Sequence, residues 1–346
     1  MAKRKVVLFY AHVDKISLIK DISFYEQDVR ALEDMGFEVR ITNMYRDFLS
    51  IEYDFCYVWW WSYSLFPIIW SRVTGRKVVV AGAFHYSTPL MQGTDFVRNS
   101  SLYRFLVKLS LKLANANIFV SNYEFNDVVN NLSVNNPVVV HHGIDVDKYY
   151  PLDIQSEIKS SSDPLNITII SWLETHNIER KCIKEAVQAF NEVSKLGYPM
   201  TLNIAGRPGN GYHEFVDFVS SLECSQNVCI LGHITEESKI SLLQNTDIFL
   251  SPTRYEGFGV AIAEALACGC AVLTSDKGAA GEVAGNCALY ADPLSVEDIT
   301  KKLTELVVDN EKRKLLGMSA ALRIKEYFSY ERHFEALKSV ISKFFI

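Results

Sequence analysis

The 346-residue chain is 49% apolar and 22% charged and contains no low-complexity stretch, which gives it material for about two folded domains. Its formal net charge is −6, with 16 Lys and Arg against 15 Asp and Glu in residues 1–150 and 19 against 26 in the remainder, so neither half has the basic excess of a nucleic-acid binder. No uncharged apolar run of about 18 residues covers a helix-forming window, and seven cysteines without a C-x-x-C pair argue against a zinc site and for reduced thiols in the cytoplasm.

The chain opens MAKRKVVLFYAHVDK, where a short apolar run meeting His12 and Asp14 predicts a first strand rather than a signal peptide. Strands follow at Glu38–Thr42, Asp54–Trp60, Lys77–Ala81, Asn117–Val120 and Pro137–His141, with helices near 21–36, 65–74, 97–114 and 123–131. The run FCYVWWWSYSLFPIIW, Phe55 to Trp70, reads as a buried strand and then a helix with Pro67 in its first turn. Its alternative is peripheral contact with a membrane face, followed as it is by Arg72, Arg76 and Lys77. His85 follows the fourth strand and is the best polar candidate of this half, although a lone His beside an apolar strand is often structural. From Gly143 to Pro164, Ser and Asp dominate without periodicity, which marks a linker. Asp145 and Asp147 form a D-x-D within it.

The second half repeats the alternation, with strands at Ile167–Ser171, Thr201–Ala205, Val228–Leu231, Asp247–Leu250, Ala271–Thr274 and Ala288–Tyr290. β-branched runs alternating with amphipathic ones predict parallel sheets with crossover helices. The expectation is an α/β chain of two Rossmann-like doubly wound domains, 1–150 and 151–328, facing across a cleft, with a last helix over 329–346 packing back on the first domain. Ligands of such sheets sit at the carboxyl ends of the strands. Arg180 and Lys181 are expected at the start of an amphipathic helix, where they oppose its dipole unless an anionic group such as a diphosphate is bound. Arg207, in the glycine loop AGRPGNG, is a further cation at a strand end.

The most informative stretch is SPTRYEGFGVAIAEALACGCAVLTSD, residues 251–276, which sets Glu256 and Glu264 eight positions apart around a turn built on Gly257 and Gly259. It reads as strand, loop and then a helix over Val260–Ala267. A Glu in a helix is ordinarily solvated. Here, however, Glu264 is flanked by Ile262, Ala263, Ala265 and Leu266, and a carboxylate among apolar side chains needs hydrogen-bond donors. The adjacent hydroxyls of a ribose supply such donors, and the loop glycines with the N–H groups at the helix start suit an anion or sugar hydroxyls.

Glu256 and Glu264 with EGFG between strand and helix resemble the E-x7-E signature of glycosyltransferase family 4, retaining enzymes of the GT-B fold. The resemblance extends to AVLTSD (271–276), GEV (281–283) and ADP (291–293), and to VVVHHGIDVDKYYP (138–151), where it accounts for the D-x-D without a metal. It implies the GT-B fold and transfer of a sugar from a nucleotide-sugar donor to a hydroxyl of a glycan or lipid-linked acceptor. It also implies retention of configuration and no cofactor or metal ion.

Carried residue by residue, the resemblance makes Glu264 a ribose ligand and Glu256 a catalytic group at the donor sugar. Gly257, Phe258, Gly259 and Val260 become the donor-binding turn, and Lys181, with Arg180 beside it, a diphosphate contact. His85 is similar to a His that members carry in the acceptor domain. The chain departs from the pattern at Trp172, where members carry Arg, at Cys182, where they carry Gly, and after the first strand, where Ala11 to Lys20 lacks glycine. These departures keep open a non-catalytic nucleotide-sugar-binding subunit, and the fold alone also admits a sugar-nucleotide epimerase or a phosphorylase. The expected location is cytoplasmic, peripheral at the inner membrane face if the acceptor is lipid-linked.

Overall fold

The computed structural model describes residues 4–88, 90, 91, 95–152 and 164–345, so half of the expected linker, residues 153–163, lies outside the described residues. The chain divides into two compact units, one of Met1–Gly143 with Tyr330–Ile346 and the other of Ile144–Ser329.

In the first unit, β1 (Val6–Ala11), β2 (Glu38–Thr42), β3 (Phe55–Trp59), β4 (Lys77–Gly82), β5 (Ala116–Phe119) and β6 (Pro137–Val139) form a parallel sheet of order β2-β1-β3-β4-β5-β6. VVLFYA in β1 and FCYVW in β3 are buried along their whole length, as strands covered on both faces must be. Helices Leu65–Val73 and Ser101–Leu113 follow β3 and β4, cross in the same direction and pack side by side. Their inward residues Ile68, Val107 and Leu111 join the core with Tyr10, Val58 and Val80. The helix expected near 21–36 is broken at Ile22, whose extended backbone (φ −96°, ψ 117°) separates Leu18–Asp21 from Ser23–Asp34. The helix expected over 97–114 begins at Ser101, capped by the Ser100 hydroxyl accepting from the Tyr103 N–H.

The last helix, Tyr330–Phe345, is fixed to this unit by polar contacts inside the core. Asp28 Oδ2 accepts from the Tyr57 hydroxyl at 2.8 Å and from Trp59 Nε1 at 2.9 Å, and its other oxygen lies 3.0 Å from His333 Nε2. His333 Nδ1 in turn is 2.8 Å from the His141 carbonyl, and the Tyr330 hydroxyl donates to Asp34 at 2.6 Å. A buried carboxylate without its donors carries the full cost of desolvation, so this junction is sensitive to truncation.

In the second unit, β7 (Leu165–Ile170), β8 (Met200–Ala205), β9 (Val228–Gly232), β10 (Ile248–Ser251), β11 (Ala271–Thr274) and β12 (Ala288–Tyr290) form a second parallel sheet, of order β12-β11-β10-β7-β8-β9. The strand order reverses between β7 and β10, so the loops leaving their carboxyl ends diverge and leave a crevice. Helix Ile183–Ser194 buries Val187 and Phe190 on this sheet and packs against helix Val296–Val308. Among the described residues no helix is long and apolar enough to cross a membrane.

We expect His333→Ala to lower unfolding stability by about 1–3 kcal/mol, read by urea denaturation, with hydrogen exchange accelerated first in helix Tyr330–Phe345. Unchanged protection of that helix would contradict the role given to the Asp28–His333 contact.

Candidate functional site

At the switch point of the second unit, the loop after β10 carries Glu256 and the segment after β7 carries Arg180 and Lys181. Glu256 Oε1 lies 3.1 Å from Arg180 Nη1 and 3.5 Å from Lys181 Nζ. Three of the residues singled out in the sequence therefore converge, although 75 positions separate Arg180 from the β10 loop it bonds. The convergence is reinforced by the backbone. Arg180 Nη1 donates to the Tyr255 carbonyl at 2.7 Å, Arg254 N–H donates to the Arg180 carbonyl at 2.7 Å, and Lys181 Nζ reaches the Ile170 carbonyl at 3.4 Å.

The expected placement of these cations is corrected. Arg180 ends a short helix, Thr175–Arg180, and Lys181 is its C-terminal cap, so both charges complement that helix dipole rather than oppose the next one. Cys182 follows with φ 49° and starts the helix Ile183–Ser194. This left-handed conformation is one that glycine adopts without strain, which gives the family's glycine at this position a physical reason.

The turn around Glu256 requires two glycines. Gly259 has φ +91° and precedes the helix Val260–Ala267. Gly278 has φ +64°, and a Cβ there would stand 2.3 Å from the Glu256 carbonyl oxygen, which accepts instead from the Ala279 N–H at 2.7 Å. The first-turn N–H groups of Val260, Ala261 and Ile262 have no acceptor inside the helix, as at any helix start. Gly257 sits in the turn beside them, while the Phe258 ring is buried against Phe328, with centroids 5.7 Å apart.

Glu264 is 3% exposed and its donor is a protein group that the sequence reading missed. Lys239, from the helix Glu236–Gln244, donates to Glu264 Oε1 at 2.8 Å and lies 3.0 Å from Glu236. Its ammonium stands 5.3 Å from the centre of the Tyr149 ring, and the Tyr149 hydroxyl donates to Glu236. Lys239 is the only Lys or Arg between Arg207 and Arg254, so a demand for a cation near Glu264 within that stretch would have pointed to it.

The two carboxyl groups are pushed in opposite directions. Burial raises the proton affinity of both. At Glu256 the charges of Arg180 and Lys181 outweigh it and hold the carboxyl below its ordinary value near 4.5. At Glu264 burial prevails over Lys239, with Glu236 adding repulsion, and the carboxyl is held above its ordinary value. Burial also pulls the Lys181 ammonium down, and Glu256 only partly restores it.

Other predicted residues stand apart. Arg207 is exposed, and its side chain makes no hydrogen bond or ion pair among the described residues, although its carbonyl accepts from the Leu173 N–H at 2.9 Å. Trp172 follows β7 and is 48% exposed. His85 lies in the first unit, three residues beyond β4, where its carbonyl accepts from the Phe96 N–H and the neighbouring Tyr86 N–H donates to Asp127 at 2.7 Å.

Residues 174–323, which contain all of this site but Tyr149 and the end of β7, match the family model of glycosyl transferases group 1. Over 278 residues the chain is 29% identical to N,N'-diacetylbacillosaminyl-diphospho-undecaprenol alpha-1,3-N-acetylgalactosaminyltransferase of Campylobacter jejuni, covering 77% of this chain and 70% of that protein. Among solved structures it superposes on sucrose-phosphate synthase from Thermosynechococcus elongatus with a TM-score of 0.80 at 14% identity, covering 99% of both chains. It superposes on Anabaena HepE in complex with UDP and glucose with a TM-score of 0.76 at 17% identity, covering 98% of this chain and 100% of that one. The fold is thus GT-B, with two Rossmann-like α/β domains, and the chain is of the glycosyltransferase class. Within that class, the segment that holds Glu256 and Glu264 carries the group 1 pattern.

Two outcomes test the electrostatics. Lys239→Met leaves Glu264 buried without its cation, and we expect a loss of about 3 kcal/mol at neutral pH, partly recovered by adding Glu264→Gln; urea unfolding of the single and double variants measures both. Because the folded-state pKa of Glu256 is depressed, its pairing contributes stability above pH 4.5 that is lost as pH falls through the lowered value. Acid unfolding of Glu256→Gln should therefore be flatter than that of the wild type in that range.

Proposed function

We propose that the protein transfers a glycosyl group from a nucleotide sugar to the hydroxyl of a glycan or lipid-linked acceptor, with retention of configuration and without a metal ion. The observation that carries this reading is the meeting of Arg180, Lys181 and Glu256 at the switch point, with Glu264 buried in the helix that leaves the same loop.

The donor's ribose hydroxyls bond to Glu264, sharing or replacing Lys239, and its diphosphate faces Lys181, Arg180 and the N–H groups of Gly257 to Val260. In the reaction the bond between the anomeric carbon and the diphosphate oxygen breaks, its electron pair stays on the diphosphate, and a bond forms to the acceptor oxygen. The acceptor proton passes to the departing diphosphate. The cations stabilise the charge that grows on that leaving group, where a preorganised site gives more than water does. Glu256, held ionised at neutral pH by its two cations, is unsuited to donate a proton. Its role is to hold those cations in place and to accept hydrogen bonds from the donor sugar while positive charge develops at the anomeric carbon. HepE, with UDP and glucose bound, and the Campylobacter enzyme, whose name describes an undecaprenyl-linked acceptor, support this donor and acceptor chemistry by likeness.

The exposed Trp172 favours one second reading, a subunit that binds a nucleotide sugar without turning it over, because it stands where the resemblance carries a cation. We expect Glu264→Gln to weaken UDP-sugar binding more than tenfold, and Glu256→Gln to cut turnover with a smaller loss of affinity. Calorimetry and product formation with a panel of nucleotide sugars read the two effects. Tight donor binding with neither transfer nor hydrolysis would select the second reading.

A further inference from the structure

Residues 55–123 carry seven Lys and Arg against a single carboxylate, Asp95, which is fully buried, in a chain whose net charge is −6. The helices Leu65–Val73 and Ser101–Leu113 of this segment lie side by side on the same face of the first sheet. Their inner residues are in the core, so their opposite faces point to solvent. Those outer faces are apolar where a solvated helix would be polar. Phe66, Ile69 and Val73, at spacings of three and four, are 39%, 49% and 74% exposed, and Leu102 and Phe105 on the neighbouring helix are 67% and 61% exposed. Lys108 and Lys112 continue the Phe105 face, are exposed, and have no hydrogen-bond or ion-pair partner among the described residues. Core packing accounts for Trp61, Ile68 and Trp70 of the aromatic run, and Phe66 rests one side of its ring on Tyr45 and Phe48, but Ile69 and Val73 turn outward.

We propose that this two-helix face is the surface by which the protein docks on an anionic lipid bilayer, with Phe66, Ile69, Val73, Leu102 and Phe105 entering the headgroup boundary and Lys108 and Lys112 meeting lipid phosphates. Charge complementarity selects that occupant. A second copy of this face would offer its lysines no carboxylate, because the segment's single acid, Asp95, is buried, and long-stemmed lysines beside protruding aliphatic groups suit a headgroup layer. The chemistry of the donor site plays no part in this inference.

The test is co-sedimentation of the full chain with vesicles of phosphatidylcholine alone or with about 30 mol% phosphatidylglycerol, at about 0.1 M salt. The wild type is expected to bind the anionic vesicles at least tenfold better than the neutral ones. Lys108→Glu/Lys112→Glu, and separately Ile69→Ser/Phe105→Ser, should each lose at least tenfold of that binding while keeping the wild-type melting temperature and UDP-sugar affinity. Equal binding to both vesicles, wild-type binding by either variant, or no binding at all would overturn the proposal. So would a dimer seen by sedimentation equilibrium that Ile69→Ser/Phe105→Ser disperses, since that assigns the face to a second copy.

Discussion

The candidate site depends on keeping two carboxylates ionisable inside protein, each against a cation delivered by a different segment. Removing a carboxylate from water costs several kcal/mol unless charge and hydrogen bonds replace its hydration. Glu256 obtains that replacement from Arg180 and Lys181, and Glu264 from Lys239. Both arrangements presuppose the sheet order, because only at the reversal between β7 and β10 do the two loops leave adjacent strands in a way that brings residues 180, 181 and 256 together. The glycines at 259 and 278 let the chain pass close enough for the contacts to form.

The opposite perturbations of the two carboxyl groups separate their chemistry. Two cations hold Glu256 anionic, which in the proposed reaction makes it an organiser of positive charge around a leaving diphosphate. Glu264 meets one lysine in a more apolar setting and competes with Glu236 for it. Burial outweighs these partners and holds its carboxyl above the ordinary value, and in the proposed reading the hydroxyls of a ribose become its further donors. One loop and the helix that follows it thus present different chemistry to the two ends of one ligand.

The fold was legible because buried parallel strands are near-continuous apolar runs. The sequence reading of the helix Val260–Ala267 coincides with the structure, and the strand read at Ile167–Ser171 is found at Leu165–Ile170. The short helix Thr175–Arg180 escaped notice because, of its six residues, only Ile178 is buried, so it carries no periodic signal. The apolar pattern visible in the sequence begins at Ile183, and Arg180 and Lys181 were attached to the wrong helix in consequence. Lys239 and Tyr149 were missed for a different reason. Their relation to Glu264 spans 25 and 115 positions of sequence, and such pairings are set by the sheet order rather than by local pattern. The requirement itself, a donor for a carboxylate among apolar residues, could be read, and what remained hidden was which element satisfied it.

The most direct test is a crystal structure of the full chain with a nucleotide sugar bound. The account predicts ribose hydroxyls within hydrogen-bond distance of the Glu264 carboxylate, about 2.6–3.2 Å, with the diphosphate against Lys181 and Arg180. A nucleotide bound elsewhere, with Glu264 still occupied by Lys239 alone, would contradict it.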